Sequence, residues 1–166
     1  MTTPAGQISL SDVNTELGLS STATITMDDA AVRTLAGVAS GAISMQNLQG
    51  KSNRATLTYT YTTSTQQASL NVSTIGGYIA GKSDITVTVN SGIYLWSDNN
   101  SVAGLTLSGG TTGDTLTLVN NGYIMGRGGD GGRSQGNNGF EATSGGPGLS
   151  LGYPTTINNT NASAYI

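Results

Sequence analysis

The amino-acid sequence predicts a mainly β fold preceded by a small helical module, and three observations carry this prediction. After position 53, polar and apolar residues alternate in short runs such as Asp84–Asn90, which reads DITVTVN. Turn pairs such as Asn121-Gly122 separate these runs. Before position 53, the apolar residues recur at helical spacing instead.

Residues 1–52 carry three helix-start signals and form the predicted three-helix module. In each signal, a Ser or Thr that can cap a helix is followed three residues later by Asp or Asn. Each predicted helix is too short to be stable alone, so its apolar residues must pack together or on a partner. The three pairs are Ser9 with Asp12, Thr26 with Asp29, and Ser44 with Asn47.

Residues 53–125 form the predicted β domain, for which two architectures fit the pattern. A β-sandwich uses short strands joined by tight turns, and an Asn-Gly pair commonly makes a hairpin. A β-solenoid also fits, because Val89–Tyr94 (VNSGIY) is echoed by Val119–Ile124 (VNNGYI), with Ile157–Ile166 as a candidate third copy. The sequence favours the sandwich and keeps the solenoid as the alternative.

Residues 126–166 form a third region, in which a strand-like tail follows the glycine-rich tract Gly126–Gly152. Glycine loses more backbone entropy on ordering than any other residue, so an ordered tract of this density indicates closely packed backbones. Polyglycine II packing and a compact glycine-rich loop are both candidate arrangements. The side chains predicted to bind a partner from this rim are Arg127, Asp130, Arg133, Asn137, Asn138 and Phe140.

The composition argues against several classes of function. The 166 residues include no Cys and no His, which removes disulfides, thiolate chemistry and the commonest general base and metal ligand. Charged residues make up 9% of the chain and the net charge is -3, so nothing indicates a nucleic-acid binder. The opening MTTPAGQISLSD lacks signal-peptide features, and no apolar run is long enough to span a bilayer. We therefore expect no enzyme, no cofactor, no metal site and no membrane insertion.

The segment Gly76–Ser83 matches the P-loop pattern G-x-x-x-x-G-K-[ST] at every position. A working P-loop needs a helix after the loop so that phosphate lies at the helix N-terminus, whereas a strand-like run follows here. The segment is therefore predicted to be a structural turn. The single carboxylate of Asp130 is too little for a calcium-binding glycine-aspartate repeat, and the isolated acids elsewhere predict no paired-carboxylate hydrolase.

Aromatic residues of the β and glycine-rich regions are candidates either for binding or for the core. Next to Asn, Asp and Arg, they suit stacking on sugar rings and anchoring at protein interfaces. Core packing is the alternative for Trp96 and several tyrosines, whereas Phe140 lies in the glycine-rich tract and is predicted to make contacts. The aromatics concerned are Tyr78, Tyr94, Trp96, Tyr123, Phe140 and Tyr153.

Two parts of the chain resemble proteins of tailed bacteriophages. Residues 6–52 resemble a module that opens many phage structural proteins, with Ile8-Ser9, Leu17-Gly18 and Gly50-Lys51-Ser52 among its marks. The stretches GYIAGKSDITVTVNSGIYLWS and LTLVNNGYIMGRGGDGG resemble glycine-rich phage tail-tip and tail-fibre proteins.

This resemblance implies a non-enzymatic virion protein, made in the bacterial host cytoplasm, that contributes to host-surface attachment in a tail fibre or tail tip. The implied partner is a glycan or protein of the host outer surface, because the glycine-rich tract of related proteins lies near the host-contacting tip. The alternative is a capsid or tail decoration protein, or a head fibre, with no receptor role. A homo-oligomer is expected, with a trimer favoured. Residues 1–52 would dock on other virion proteins through Leu10, Val13, Leu17, Arg33, Leu35 and Leu48.

Overall fold

The computed structural model describes residues 2–135 and 138–166 and divides into two compact units, Met1–Arg54 and Ala55–Ile166. The first unit contains helix α1 (Leu10–Leu17), helix α2 (Ala30–Ala36) and a short 3-10 helix (Met45–Leu48). Among the described residues, no helix has both the length and the apolar character needed to cross a membrane. The core of this unit is formed by Val13, Val32, Leu35, Ala36 and Leu48.

The helix-start signals of the first unit are confirmed in part. Helix α1 begins with the predicted capping box, in which the Ser9 amide donates to the Asp12 carboxylate at 2.8 Å and the Asp12 amide donates back to the Ser9 hydroxyl. The predicted cap Thr26 is wrong: helix α2 begins after Asp29, whose carboxylate instead accepts hydrogen bonds from Thr26. Thr26 therefore sits in the turn before the helix.

The third predicted helix is a single turn of 3-10 helix, so the module has two α-helices rather than three. Its capping box between Ser44 and Asn47 is present, but the Asn47 amide bonds three residues back, to the Ser44 carbonyl at 3.0 Å. Only four residues separate the cap from the extended Gln49, which is too short for a stable α-helix.

The second unit is a β-solenoid in which three successive turns of the chain, here called rungs, each supply one strand to each of three parallel sheets, and a fourth adds a strand to one sheet. In chain order the strands are β1 (Ala55–Tyr61), β2 (Thr65–Gln66), β3 (Ala68–Asn71), β4 (Ser83–Val89), β5 (Tyr94–Trp96), β6 (Leu105–Ser108), β7 (Thr115–Asn120), β8 (Tyr123–Met125), β9 (Arg133–Gln135), β10 (Asn138–Phe140), β11 (Leu149–Leu151) and β12 (Thr156–Asn158). Sheet A contains strands β1, β4, β7 and β12, sheet B contains β2, β5 and β8, and sheet C contains β3, β6 and β11. A one-turn 3-10 helix (Val72–Thr74) follows β3.

The prediction of a β-sandwich is wrong, and the solenoid alternative is confirmed by the strand pairing. Within the described residues every strand pair is parallel except the β9–β10 hairpin, whereas a sandwich of this kind is built from antiparallel strands. The pair Asn121-Gly122 makes a corner between β7 and β8 rather than a hairpin. An Asn-Gly pair suits a hairpin turn and a solenoid corner equally, so the sequence alone did not distinguish a sandwich from a solenoid.

The interior of the solenoid is filled by apolar side chains, which alternate with polar ones along each strand. On β4 the side chains of Ile85, Val87 and Val89 point inward and are 2% exposed or less, while the threonines between them face outward. Parallel register stacks these residues in rows from rung to rung, so that Val87 is paired with Leu118 of β7. The rows from all three sheets meet in one apolar core.

One corner between successive rungs is closed by the buried carboxylate of Asp114. It accepts hydrogen bonds from the Ser83 amide at 3.0 Å, the Thr111 amide at 2.8 Å and the Tyr78 hydroxyl at 2.7 Å. The Tyr153 hydroxyl donates to the carbonyl oxygens of Thr111 and Asp114. Burial raises the pKa of the Asp114 carboxyl, but these hydrogen bonds outweigh burial and leave the pKa below its ordinary value.

Candidate functional site

Between β8 and β11 the chain leaves the solenoid, and residues 126–148 are called here the glycine-rich excursion. It contains the β9–β10 hairpin, with an outgoing arm before it and a returning arm after it. The Gly146 amide of the returning arm donates to the Arg127 carbonyl at 2.8 Å, and the Thr143 amide donates to the Asp130 carbonyl at 3.0 Å. The two arms are therefore bonded to each other rather than looping independently.

Glycine is a packing requirement where the two arms pass each other. A Cβ atom built on Gly129 would overlap the carbonyl oxygen of Thr143, and one on Gly145 would lie 2.8 Å from the carbonyl oxygen of Arg127. Neither atom has room to move, because both belong to the backbone. The arms lack regular helix or strand hydrogen bonding, and polyglycine II geometry stays a prediction.

Two side chains hold the arms in place. Asn100, in the loop between β5 and β6, donates to the Ser144 carbonyl at 2.9 Å and so links the returning arm to the solenoid. Thr143 accepts a hydrogen bond from the Asp130 amide at 3.1 Å and donates to the Asp130 carboxylate at 3.3 Å. The base of the excursion is thus fixed by side chains as well as by backbone.

Arg127 and Asp130, two of the predicted binding residues, are paired with each other. A single guanidinium nitrogen of Arg127 lies 3.0 Å from both carboxylate oxygens of Asp130. The side chains are 40% and 62% exposed, so water screens the pair and its contribution to stability is roughly 0.2–1 kcal/mol. Any ligand that binds one of these charges must share it with the other.

The remaining predicted binding residues lie on or beside the hairpin. Strands β9 and β10 place Arg133 opposite Phe140 and Gln135 opposite Asn138 in an antiparallel register. Asn137 lies outside the described residues. The structure thus brings the backbones of Arg133, Asn138 and Phe140 together at one end of the excursion, while Arg127 and Asp130 occupy its base.

The residues predicted to dock on other virion proteins divide into buried and exposed groups. Val13, Leu35 and Leu48 are at most 7% exposed and belong to the core of the first unit, so they support its fold. Leu10 is 40% exposed and is available for contact. Arg33 donates to the Asp28 carboxylate at 2.6 Å and to the Gly41 carbonyl. The second bond holds the loop after helix α2 to the helix. The sixth residue, Leu17, is partly buried against the same core.

Sequence reasoning missed a ladder of three tyrosines on the outer surface of sheet B. The rings of Tyr94 and Tyr123 stack with centroids 4.5 Å apart and an interplanar angle of 20°. Tyr165 continues the row, with its centroid 4.9 Å from that of Tyr123 and a tilt of 59°. The repeated segments VNSGIY and VNNGYI could have indicated this ladder, because equivalent residues of successive rungs lie in one row.

The P-loop match is a structural turn, as predicted. Gly77 and Gly81 adopt left-handed backbone conformations, and strand β4 begins at Ser83 where a P-loop would begin a helix. The Ser83 hydroxyl donates to the Ile79 carbonyl at 2.8 Å and is fully buried, so it is used within the turn. Across residues 2–135 and 138–166, no group of three or more acidic, His or Cys side chains could hold a metal ion.

Comparison with known proteins identifies the family of this chain. Searches of curated proteins and of solved structures returned no match. The protein-family model described as phage tail fibre adhesin Gp38 matches residues 56–164, which takes in nearly all of the solenoid and the whole glycine-rich excursion. A match over well more than half of the 166 residues, on the unit that carries the excursion, means that the chain belongs to the phage tail fibre adhesin Gp38 family.

Proposed function

We propose that this chain is the receptor-binding adhesin of a phage tail fibre and that it attaches to the host surface by non-covalent contact, without catalysis. The observation that carries the proposal is the glycine-rich excursion, whose arms are bonded to each other and to the solenoid. We expect the arms of such a surface to be ordered before it meets a receptor. Preorganisation reduces the entropy lost on binding and so favours affinity.

Within the excursion, the hairpin is the proposed contact element. Arg133, Asn138 and Phe140 combine a cation, an amide and an aromatic ring in two short paired strands. Arg and aromatic residues are enriched among the residues that dominate binding energy at protein interfaces. Asn137, next in sequence to Asn138, belongs to the same proposed contact set.

Arg127 and Asp130 have a supporting role in this proposal. Their mutual ion pair and the bonds between Asp130 and Thr143 orient the base from which the hairpin projects. A substitution at Asp130 should therefore weaken binding less than a substitution in the hairpin, because it removes a support and leaves the contacts in place.

The first unit is proposed to dock on other virion proteins. Leu10 and Leu19 are 40% and 46% exposed, which leaves apolar surface for a partner once the core of the unit is formed. The assembled protein is proposed to be a homo-oligomer within the virion, with a trimer favoured. Light scattering on the purified chain measures that number directly.

The experiment is competition for adsorption. Purified full-length protein is added to the host bacterium before the phage, and the fraction of phage left unadsorbed is measured. The parent should block adsorption, and Arg133→Ala combined with Phe140→Ala should require about tenfold more protein for the same block. Thr58→Ala, an exposed position on sheet A, is the matched control and should block like the parent. A folded double variant that blocks as well as the parent would remove the hairpin from the proposal.

A further inference from the structure

The three outer faces of the solenoid differ in chemistry. Outward residues of sheet A are mostly threonine, and those of sheet C are serine, threonine and asparagine. Strand alternation on sheet B places Leu95 and Ile124 in the core, each fully buried, so their neighbours face outward. Those outward neighbours are Tyr94 and Trp96 on β5 and Tyr123 and Met125 on β8.

The aromatic face of sheet B continues into the next rung through Tyr165. A parallel bridge pairs Tyr165 with Tyr123, and the Tyr165 hydroxyl lies 3.2 Å from the Met125 sulfur. Tyr94 is 44% exposed and Tyr165 is 50% exposed, although the Tyr94 ring stacks on Tyr123 and the Tyr165 ring packs against it at a tilt of 59°. One uncharged, aromatic strip therefore runs along the solenoid axis.

The ladder stops at the first rung, where a serine replaces the next ring. Thr65 pairs in register with Leu95, so Ser64 is the first-rung neighbour of Tyr94, and the Tyr94 amide donates to the Ser64 hydroxyl at 3.0 Å. Serine is too small to cover the ring face that Tyr123 leaves free. Gln66, exposed and paired in register with Trp96, lies beside this open step.

We propose that the open face of Tyr94 binds a neutral saccharide ring, which takes the ladder position that Ser64 leaves vacant. One face of a pyranose presents several C–H groups and packs on an aromatic ring, while its hydroxyls point sideways to polar partners. Ser64 and the Gln66 amide offer those partners at the edge of the step. Trp96 extends the aromatic surface beside the sugar.

The chemistry of the strip favours a neutral glycan over a charged ligand or an apolar partner. None of the side chains that form the step, Ser64, Gln66, Tyr94 and Trp96, carries a charge with which to bind phosphate or carboxylate. An apolar partner would leave the exposed polar side chains of Ser64 and Gln66 without hydrogen bonds at the edge of the step. This site is separate from the hairpin, so the inference goes beyond the proposed function and does not depend on it.

The test uses intrinsic fluorescence, because the chain has a single tryptophan and it lies on this face. Full-length protein is screened on an array of neutral bacterial glycans, and the strongest binder is titrated while Trp96 emission is recorded. Saturable change in emission is expected for the parent. Tyr94→Ala should weaken the apparent Kd roughly fivefold or more, while Tyr94→Phe, which keeps the ring, should stay within about twofold of the parent.

Tyr59→Ala is the matched control, since Tyr59 is an exposed tyrosine of similar accessibility on sheet A. It should leave the titration unchanged. Absence of any glycan that changes Trp96 emission, or equal weakening by Tyr94→Ala and Tyr59→Ala, would overturn the proposal. Adsorption blocking by the Arg133→Ala, Phe140→Ala variant is measured separately, so failure of the hairpin and failure of the tyrosine step give different results.

Discussion

The packing of the glycine-rich excursion can be tested with two neighbouring glycines. Gly128 has open space where a side chain would go, with no atom within 4 Å of an added Cβ. At Gly129 the same atom would overlap the carbonyl oxygen of Thr143 and lie 3.1 Å from the amide nitrogen of Gly145. Gly128→Ala and Gly129→Ala therefore make the same chemical change one residue apart, and only the second creates a clash.

The structure sets the size and sign of each effect. At Gly129 the overlapping atoms belong to backbone that is itself hydrogen-bonded, so relief requires separating the arms, and overpacking of this kind costs about 1–3 kcal/mol. At Gly128 the added methyl group only restricts the unfolded chain, which stabilises by about 0.4–1 kcal/mol. The two variants should therefore differ in the local free energy of opening by about 1.4–4 kcal/mol.

Amide hydrogen exchange measures this difference at the positions that matter. The amides of Thr143 and Gly146 donate across the arms, so their exchange reports opening of the excursion. Gly129→Ala should accelerate their exchange by roughly 5-fold to 150-fold, since 1.4 kcal/mol corresponds to a factor of ten. Exchange of the core amides of sheet A should stay unchanged, because the strain is confined to the arms.

Equal exchange at Thr143 and Gly146 in the two variants would refute the reasoning. It would mean that the arms are not packed against each other in solution. The hairpin would then not be held in place before binding, and its predicted preorganisation would be wrong.

Three further predictions concern the solenoid. Leu118→Ala removes a fully buried side chain from sheet A and should lower the free energy of unfolding by about 2–5 kcal/mol in urea denaturation. Tyr61→Phe should be neutral or stabilising by up to about 2 kcal/mol in the same assay, because the Tyr61 hydroxyl is buried with no hydrogen-bond partner among the described residues; a clear loss would reveal an overlooked partner. The lowered pKa of Asp114 means that its ionised form stabilises the fold above the ordinary value of 3.8, and this stabilisation should be lost as pH falls through the lower folded value. Urea unfolding measured from pH 6 to pH 3 should show the free energy of unfolding falling in the parent and falling less in Asp114→Asn. Equal falls in the two proteins would contradict this role of Asp114.

Local signals in the sequence predicted local structure well. The pairs Ser9 with Asp12 and Ser44 with Asn47 gave capping boxes where expected, because a cap is decided by atoms only three residues apart. Alternation in Asp84–Asn90 gave the strand and its buried face. The prediction of Thr26 as a helix cap was wrong because Thr and Asp three residues apart also close an ordinary turn.

Long-range arrangement was harder to infer. Whether Asn121-Gly122 turns the chain back or carries it to the next sheet depends on which distant strand β8 meets, and the pair itself is compatible with both. The tyrosine ladder was hidden for the same reason, since Tyr94 and Tyr165 become neighbours only through Tyr123 and the stacking of rungs. Among the aromatics for which core packing was considered, Tyr94, Trp96 and Tyr123 lie at outward positions of sheet B, whereas Tyr78 and Tyr153 pack against the core.

The place where the excursion joins the solenoid has a consequence for how such a protein changes over generations. The chain departs after Met125 and rejoins at Leu149, and both ends are held in parallel register with β5 and β6 of the preceding rung. A segment anchored in this way at a corner is expected to tolerate changes beyond its packed arms without shifting the rows of the core. On the function proposed above, variation confined to this segment would change the receptor contacts while the sheets and their register stay the same.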